Sequence, residues 1–207
     1  MSQEIIELNA QQKDALKEIG NIGAGNAATA FAQFLDSKIE MTVPSVDLIP
    51  INRVAEITGN EERKMAGILL KIMGQAPGNI LLIITAESVK HILKLMLNKD
   101  VDIDSLGQVE QSALKEVGNI LTGAYLTSIN KTTNLDLIQS VPGFAYDMAA
   151  AILSSSFISS ARTSDHVLLI QTRFMSEGYQ IEAHLFLIPA EGSLKKILHS
   201  LGLDEYE

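Results

Sequence analysis

The sequence predicts an α+β fold, an antiparallel sheet with helices packed on it, assembled from two copies of one unit related by a pseudo-twofold axis. Three observations predict it. The segment D-A-L-K-E-I-G-N-I-G-A-G-N-A-A-T, from Asp14, recurs from Ser112 as S-A-L-K-E-V-G-N-I-L-T-G-A-Y-L-T, 98 residues further on. Each copy then runs through the same order of patterns: a long helix, alternating strands, a hairpin and a short closing helix. No linker rich in Gly, Pro or Ser parts the copies, which favours one shared sheet over two independent domains. The expectation is a single domain over residues 1–207, made of fused repeats at about 8–100 and 106–207.

The elements follow in chain order. Leu16, Ile19, Ile22, Ala27 and Ala30 recur at three- and four-residue steps, as do Leu114, Val117, Ile120 and Leu121 in the second copy, so each copy opens with an amphipathic helix. Ile39, Met41 and Val43 alternate with Glu40 and Thr42, and Leu135, Leu137 and Val141 keep even spacing, which reads as a strand in each copy. Ala66 to Met73 and Ile80 to Thr85 flank G-Q-A-P-G-N, whose Gly and Pro punctuate a hairpin. A second hairpin joins Val167–Phe174 to Tyr179–Ile188 around Glu177-Gly178. The closing helices are expected near Ser88–Leu97 and Ser193–Leu201. They match at an offset of 105 against the earlier 98, so the second copy carries about seven extra residues. Asp147 to Leu153 reads as a helix without a first-copy counterpart, and the run Ser154-Ser155-Ser156 follows it.

Composition narrows the function. With 46% hydrophobic residues the 207-residue chain can bury a core. Its 16 Lys and Arg against 25 Asp and Glu leave a charge of −9, which lacks the cations that neutralise phosphates in nucleic-acid binding. Zero Cys excludes disulfides, a thiolate nucleophile and Cys-based metal sites, and fits a reducing compartment. The N-terminus, M-S-Q-E-I-I-E-L-N, lacks the basic region and apolar run of a signal peptide. The longest strongly apolar run, Ile80–Ile84, falls far short of the roughly 20 residues that span a bilayer. A cytoplasmic protein with no membrane and no nucleic-acid partner is expected.

One polar stripe stands out. Asp14, Glu18 and Asn21 lie at i, i+4 and i+7 on the first helix, and the second copy keeps Ser112, Glu116 and Asn119. Pro44 and Pro142 each fall 23 positions after the Asn. Acidic residues on a solvated face need no explanation. The Asn does, because it is a mediocre helix former held mid-helix where Gln, Lys or Glu would serve stability better. A Glu can pair with a cation on a partner, while a carboxamide, both donor and acceptor, can hold a water in one orientation. Such a pair has neither nucleophile nor metal cage, so it could catalyse only by positioning water against an already labile bond.

The patterns D-x-x-x-E-x-x-N-x22-P and S-x-x-x-E-x-x-N-x22-P resemble the signature of the CheC family, chemotaxis phosphatases that act on the response regulator CheY. The resemblance covers essentially the whole chain. CheX-type relatives carry one motif per chain, and FliY proteins add a flagellar-switch domain for which this chain is too short. It implies two pseudo-symmetric active sites, Glu18 with Asn21 and Glu116 with Asn119. Each Asn would orient a water against the aspartyl phosphate of the receiver, comparable to the water-positioning Gln of a GTPase. Each Glu would pair with a receiver lysine. Asp14 and Ser112 would tune docking, and Pro44 and Pro142 would punctuate the strand or loop after the motif. No cofactor of its own is implied, the Mg²⁺ being carried by the CheY receiver domain. Phosphorylated CheY and CheD, a receptor deamidase, are the implied partners. The alternative is a noncatalytic adaptor that sequesters CheD or phosphorylated CheY.

Other features read as structural. G-N-I-G-A-G-N-A at residues 20–27 has the wrong glycine order and follows a helix, not a strand, so it is not a dinucleotide fingerprint. Its small residues suit close packing, with Leu121 standing where the first copy has Gly23. The histidines at 91, 166, 184 and 199 show no metal-ligand spacing. Lys90, Lys94, Lys195 and Lys196 fit the solvated faces of the closing helices. Asp147 to Leu153, with Met148 and Ile152, is more apolar than a surface element needs. Core packing is the first reading of it, and a CheD surface at Asp147 and Met148 the second.

Overall fold

The computed structural model describes residues 8–35, 37–50, 53–57, 62–158, 166–176 and 178–203. Helix α1 (Ala10–Leu35) begins at a reciprocal capping box. Asn9 Oδ1 accepts from the Gln12 N–H at 2.9 Å, and Gln12 Oε1 accepts from the Asn9 N–H at 3.0 Å. The buried Gln12 also donates through Nε2 to the Leu203 carbonyl at 3.2 Å, tying α1 to the far end of the described chain. Strands β1 (Ile39–Thr42) and β2 (Val46–Pro50), short helix α2 (Val54–Ile57), hairpin β3 (Lys64–Gly74) and β4 (Gly78–Thr85), and helix α3 (Ala86–Leu97) complete the first half. After one 3-10 turn at Ile103–Ser105 come α4 (Gln108–Thr133), β5 (Leu137–Gln139), β6 (Gly143–Met148), α5 (Ala149–Ile158), β7 (His166–Ser176), β8 (Tyr179–Pro189) and α6 (Ser193–Ser200). Helices α3 and α4 end on Asn98 and Asn134 in the left-handed conformation, at φ 51° and 58°.

All strands join one antiparallel sheet in the order β1-β7-β8-β4-β3-β5, with β2 also on β7 and β6 also on β3. The halves therefore exchange strands, the leading pair of each lying on the long hairpin of the other. Register makes the equivalence explicit. Ile39 faces Ser176 as Leu137 faces Gly74, and Val46 faces Ile170 as Phe144 faces Ile68. Equivalent residues are 98 apart on the leading strands (39 and 137, 46 and 144) and 102 apart on β3 and β7 (74 and 176, 68 and 170). Much of the extra length of the second half thus enters between β6 and β7. Strands β4 and β8 meet at the centre, with Leu82 against Leu185.

The sheet is covered on both sides. Leu16 and Ile19 of α1, Ile92 and Leu93 of α3, Leu114 and Val117 of α4, and Ile197 of α6 pack on Ile68, Leu70, Leu82, Ile84 and Ile170. On the other face Ile152 and Leu153 of α5 and Val54 of α2 pack on Met65, Leu81, Ile83, Leu169 and Phe186. Burial on two faces explains why Ile80–Ile84 is a continuous apolar run without alternation. Each such side chain contributes about 1.5–3 kcal/mol.

Four sequence expectations change. Asp147 and Met148 end strand β6, opposite Met65 and Lys64, and the helix starts only at Ala149. This β6–α5 segment does have a first-half counterpart in β2–α2, and α2 packs against α5. Ile22, expected on the buried face, is 44% exposed, and Val141, expected in a strand, is 88% exposed beyond the end of β5. Glu177 of the second turn lies outside the described residues.

Candidate functional site

Helices α1 and α4 carry the two polar stripes and pack side by side through small residues. A Cβ placed on Gly23 would lie 2.7 Å from Tyr125 Cδ1 and 3.2 Å from Tyr125 Cα, so only glycine admits this approach. Leu121 replaces Gly23 in the second half and Tyr125 replaces Ala27, so large and small residues trade places across the pseudo-twofold while all four stay buried. Ser128 Oγ donates to the Ile19 carbonyl at 2.8 Å, a further bond between the helices. The Tyr125 hydroxyl lies 3.1 Å from Thr172 Oγ1 on β7, and burial pushes its pKa up to about 12. Gly25, read as a packing residue, is exposed with nothing near it.

Each stripe runs from solvent toward the sheet. Asp14 and Glu18 are exposed and Asn21 half-buried, while Ser112 is exposed and Glu116 and Asn119 half-buried. Among the described residues neither Glu18 nor Glu116 forms an ion pair, although the surface carries several others, such as Lys38 with Glu40 and Lys64 with Asp104. The two glutamates are therefore left available for a cation from outside.

The asparagines are held, and differently. The Val43 N–H donates to Asn21 Oδ1 at 2.9 Å. A main-chain N–H can only donate, so its partner is the carboxamide oxygen and the Nδ2 amino group points elsewhere. This bond gives the spacing to Pro44 a physical meaning, because the residue before the proline closes on the helix. Val43 is 1% exposed and packs on Gly20, where an added Cβ would lie 3.3 Å from Val43 Cγ1. In the second half, Ile68 of β3 lies under Gly118, its Cγ2 2.5 Å from where a Cβ would sit, while Val141 projects into solvent beside Pro142. Asn119 is held by Gln139 at the end of β5. Gln139 Nε2 donates both to Asn119 Oδ1 and, at 3.1 Å, to the Asn119 main-chain carbonyl. The second bond fixes which end of the Gln139 carboxamide is nitrogen, so again the Asn oxygen accepts and its amino group is left over. Sequence reasoning missed Gln139. The available signal was a polar residue where the first copy, 98 positions earlier, has the buried Met41.

Asp147 and Met148 lie at the β6 end, both exposed, with Asp147 Oδ1 accepting from the Met148 N–H at 2.8 Å. Among the described residues no group of three His, Asp or Glu could hold a metal ion. No described helix is long and apolar enough to cross a membrane.

Residues 12–47 and 109–146, the two helix-to-strand segments that carry these stripes, match the model of the CheC-like family. The chain is 34% identical over 200 residues to the CheY-P phosphatase CheC of Bacillus subtilis, covering 94% of this chain and 96% of that protein. It is 31% identical over 130 residues to the flagellar motor switch phosphatase FliY of Bacillus subtilis, covering 61% of this chain and 33% of that one. Its fold is that of FliY from Thermotoga maritima, with a TM-score of 0.79 at 21% identity over 97% of this chain and all of the other. With 34% identity to CheC along nearly its full length and both helix-to-strand segments matching the family model, the chain belongs to the CheC family.

Proposed function

We propose that this chain is a chemotaxis phosphatase that hydrolyses the aspartyl phosphate of phosphorylated CheY in the cytoplasm, at two sites carried by two fused repeats. The observation that carries the reading is the paired arrangement on α1 and α4: a Glu without an ion pair among the described residues, one turn before an Asn whose oxygen is held by an N–H. The names of the CheC and FliY relatives support it. Glu18 and Glu116 dock on a cation of the receiver and set the register. With its oxygen anchored, each Asn presents its amino hydrogens and the remaining lone pair of Oδ1 in a fixed direction, which is what holding a water in line with a phosphorus requires. An aspartyl phosphate is already labile and its receiver brings the Mg²⁺, so placing the water is the step left to this chain.

Loss of both Asn side chains removes the positioning and leaves the docking. Asn21→Ala with Asn119→Ala is expected to lower the stimulated decay of phosphorylated CheY by about two orders of magnitude, with the receiver still bound. Each single variant is expected to retain part of the activity. Decay of radiolabelled phosphorylated CheY measures this. A double variant as active as the parent would overturn the assignment of the water-positioning step to the asparagines, and a parent chain that binds without accelerating decay would point to the noncatalytic adaptor.

The exposed end of β6, Asp147 with Met148, is the surface assigned to CheD, with the acidic side chain at its edge and Met148 45% exposed. Asp147→Lys is expected to weaken a CheD complex at least tenfold in a titration while the far-UV spectrum and melting temperature stay put. Unchanged affinity would discard the placement.

A further inference from the structure

The geometry points to Gln139 as the positioning residue of the second site, the side-chain substitute for the main-chain N–H that orients Asn21 in the first. This rests on the phosphatase reading and goes beyond it, because it makes the two sites different in kind. In the first half the strand passes close enough for the Val43 N–H to reach Asn21 Oδ1. In the second half Val141 stands in solvent at 88% exposure, and the Gln139 amino group reaches Asn119 instead, bonding both its side-chain oxygen and its main-chain carbonyl.

Stability does not account for Gln139. Its own Oε1 is buried without a hydrogen-bond partner among the described residues, a cost that an apolar side chain would avoid. The first half has Met41 at the equivalent strand position, buried against the core. A glutamine that leaves its acceptor orphaned while both bonds from its donor go to Asn119 serves Asn119. Gly123, in the place of an added Cβ 3.6 Å from the Gln139 carboxamide, lies alongside it on α4. In both halves the Asn oxygen thus accepts from a donor outside its helix, one built into the backbone and one on a side chain that substitution can remove.

The test uses the full chain carrying Asn21→Ala, so that only the second site turns over. Gln139→Met is expected to lower kcat about tenfold with KM unchanged and a melting temperature equal to or above the parent's, since the orphaned oxygen is removed. Gln139→Glu places a carboxylate against two oxygens of Asn119. Its activity relative to the parent is expected to be low at pH 8 and to recover in part toward pH 6, where the protonated acid can donate its one O–H to Asn119 Oδ1. Gln139→Met that keeps the parent's kcat, or that loses kcat only in step with a fall in melting temperature, would overturn the assignment. If instead the Asn21→Ala chain is equally active with and without Asn119→Ala, it is the Asn119 site that fails, and if the parent chain does not accelerate decay of phosphorylated CheY at all, it is the phosphatase reading; these failures are distinguishable from that of Gln139.

Discussion

Asn21 and Asn119 sit mid-helix, where asparagine disfavours the helix by several tenths of a kcal/mol relative to Glu or Lys, and each is compensated by a bond from outside its helix. That a polar stripe recurs was legible in the sequence, because type and spacing repeat in two copies. Which atom of the Asn faces outward was not, since that depends on a donor 20 or more residues away. His184 makes a second residue-scale case. It lies in the central strand β8 opposite Ile83 and Gln171, with Nδ1 buried and unpartnered among the described residues. Burial depresses its pKa, and the Glu182 carboxylate opposes that only in part. A folded-state pKa below the unfolded value of about 6.5 means the unfolded chain binds the proton first. The contribution is fully present above that pH and is lost as pH falls through the window beneath it. The urea midpoint is expected to drop between pH 7.5 and 5.5, and His184→Leu is expected to flatten that slope. An identical slope in the variant would remove His184 as the cause.

At the scale of elements, the two long helices, the closing helices and both hairpins follow from periodicity and turn residues, whereas β2 and α2 are too short to leave such a pattern. The misread segment was β6 with α5. Phe144, Tyr146 and Met148 alternate as a strand should, but the apolar run Ala149–Leu153 behind them drew the helix start forward. Its apolar character is explained by Ile152, whose Cγ2 lies 2.5 Å from where a Cβ on Gly67 would be, sealing the second face of the sheet. The α1–α4 contact yields a paired prediction. Gly23→Ala drives a methyl into Tyr125, and an overpacking cost of about 1–3 kcal/mol exceeds the roughly 1 kcal/mol that alanine returns in helix propensity. Gly25→Ala meets nothing and is expected to stabilise by about 0.5–1 kcal/mol. Denaturant midpoints of the two variants should move in opposite directions.

For the whole molecule, strand exchange is the governing fact. Residues 1–105 alone would leave β3 without β5 and β6, and β1 and β2 without β7. Neither half is expected to be a folded monomer, whereas co-expressed halves are expected to assemble and unfold together, as size-exclusion and circular dichroism would report. A folded monomeric half would contradict this. The charge of −9 lacks the cations that nucleic-acid binding needs and would suit a partner that brings its own. By itself the sequence determined the α+β class and the recurrence of one segment, and it singled out the two Glu and Asn pairs as candidates, because repetition and local periodicity survive in one dimension. Only the tertiary structure decided that the halves trade strands, that β6 precedes α5, and that Asn21 and Asn119 are anchored by different donors. Those depend on contacts between residues far apart in the chain: whether Val43 or Ile68 fills the space beneath a helix glycine is a question of packing, which no local pattern records.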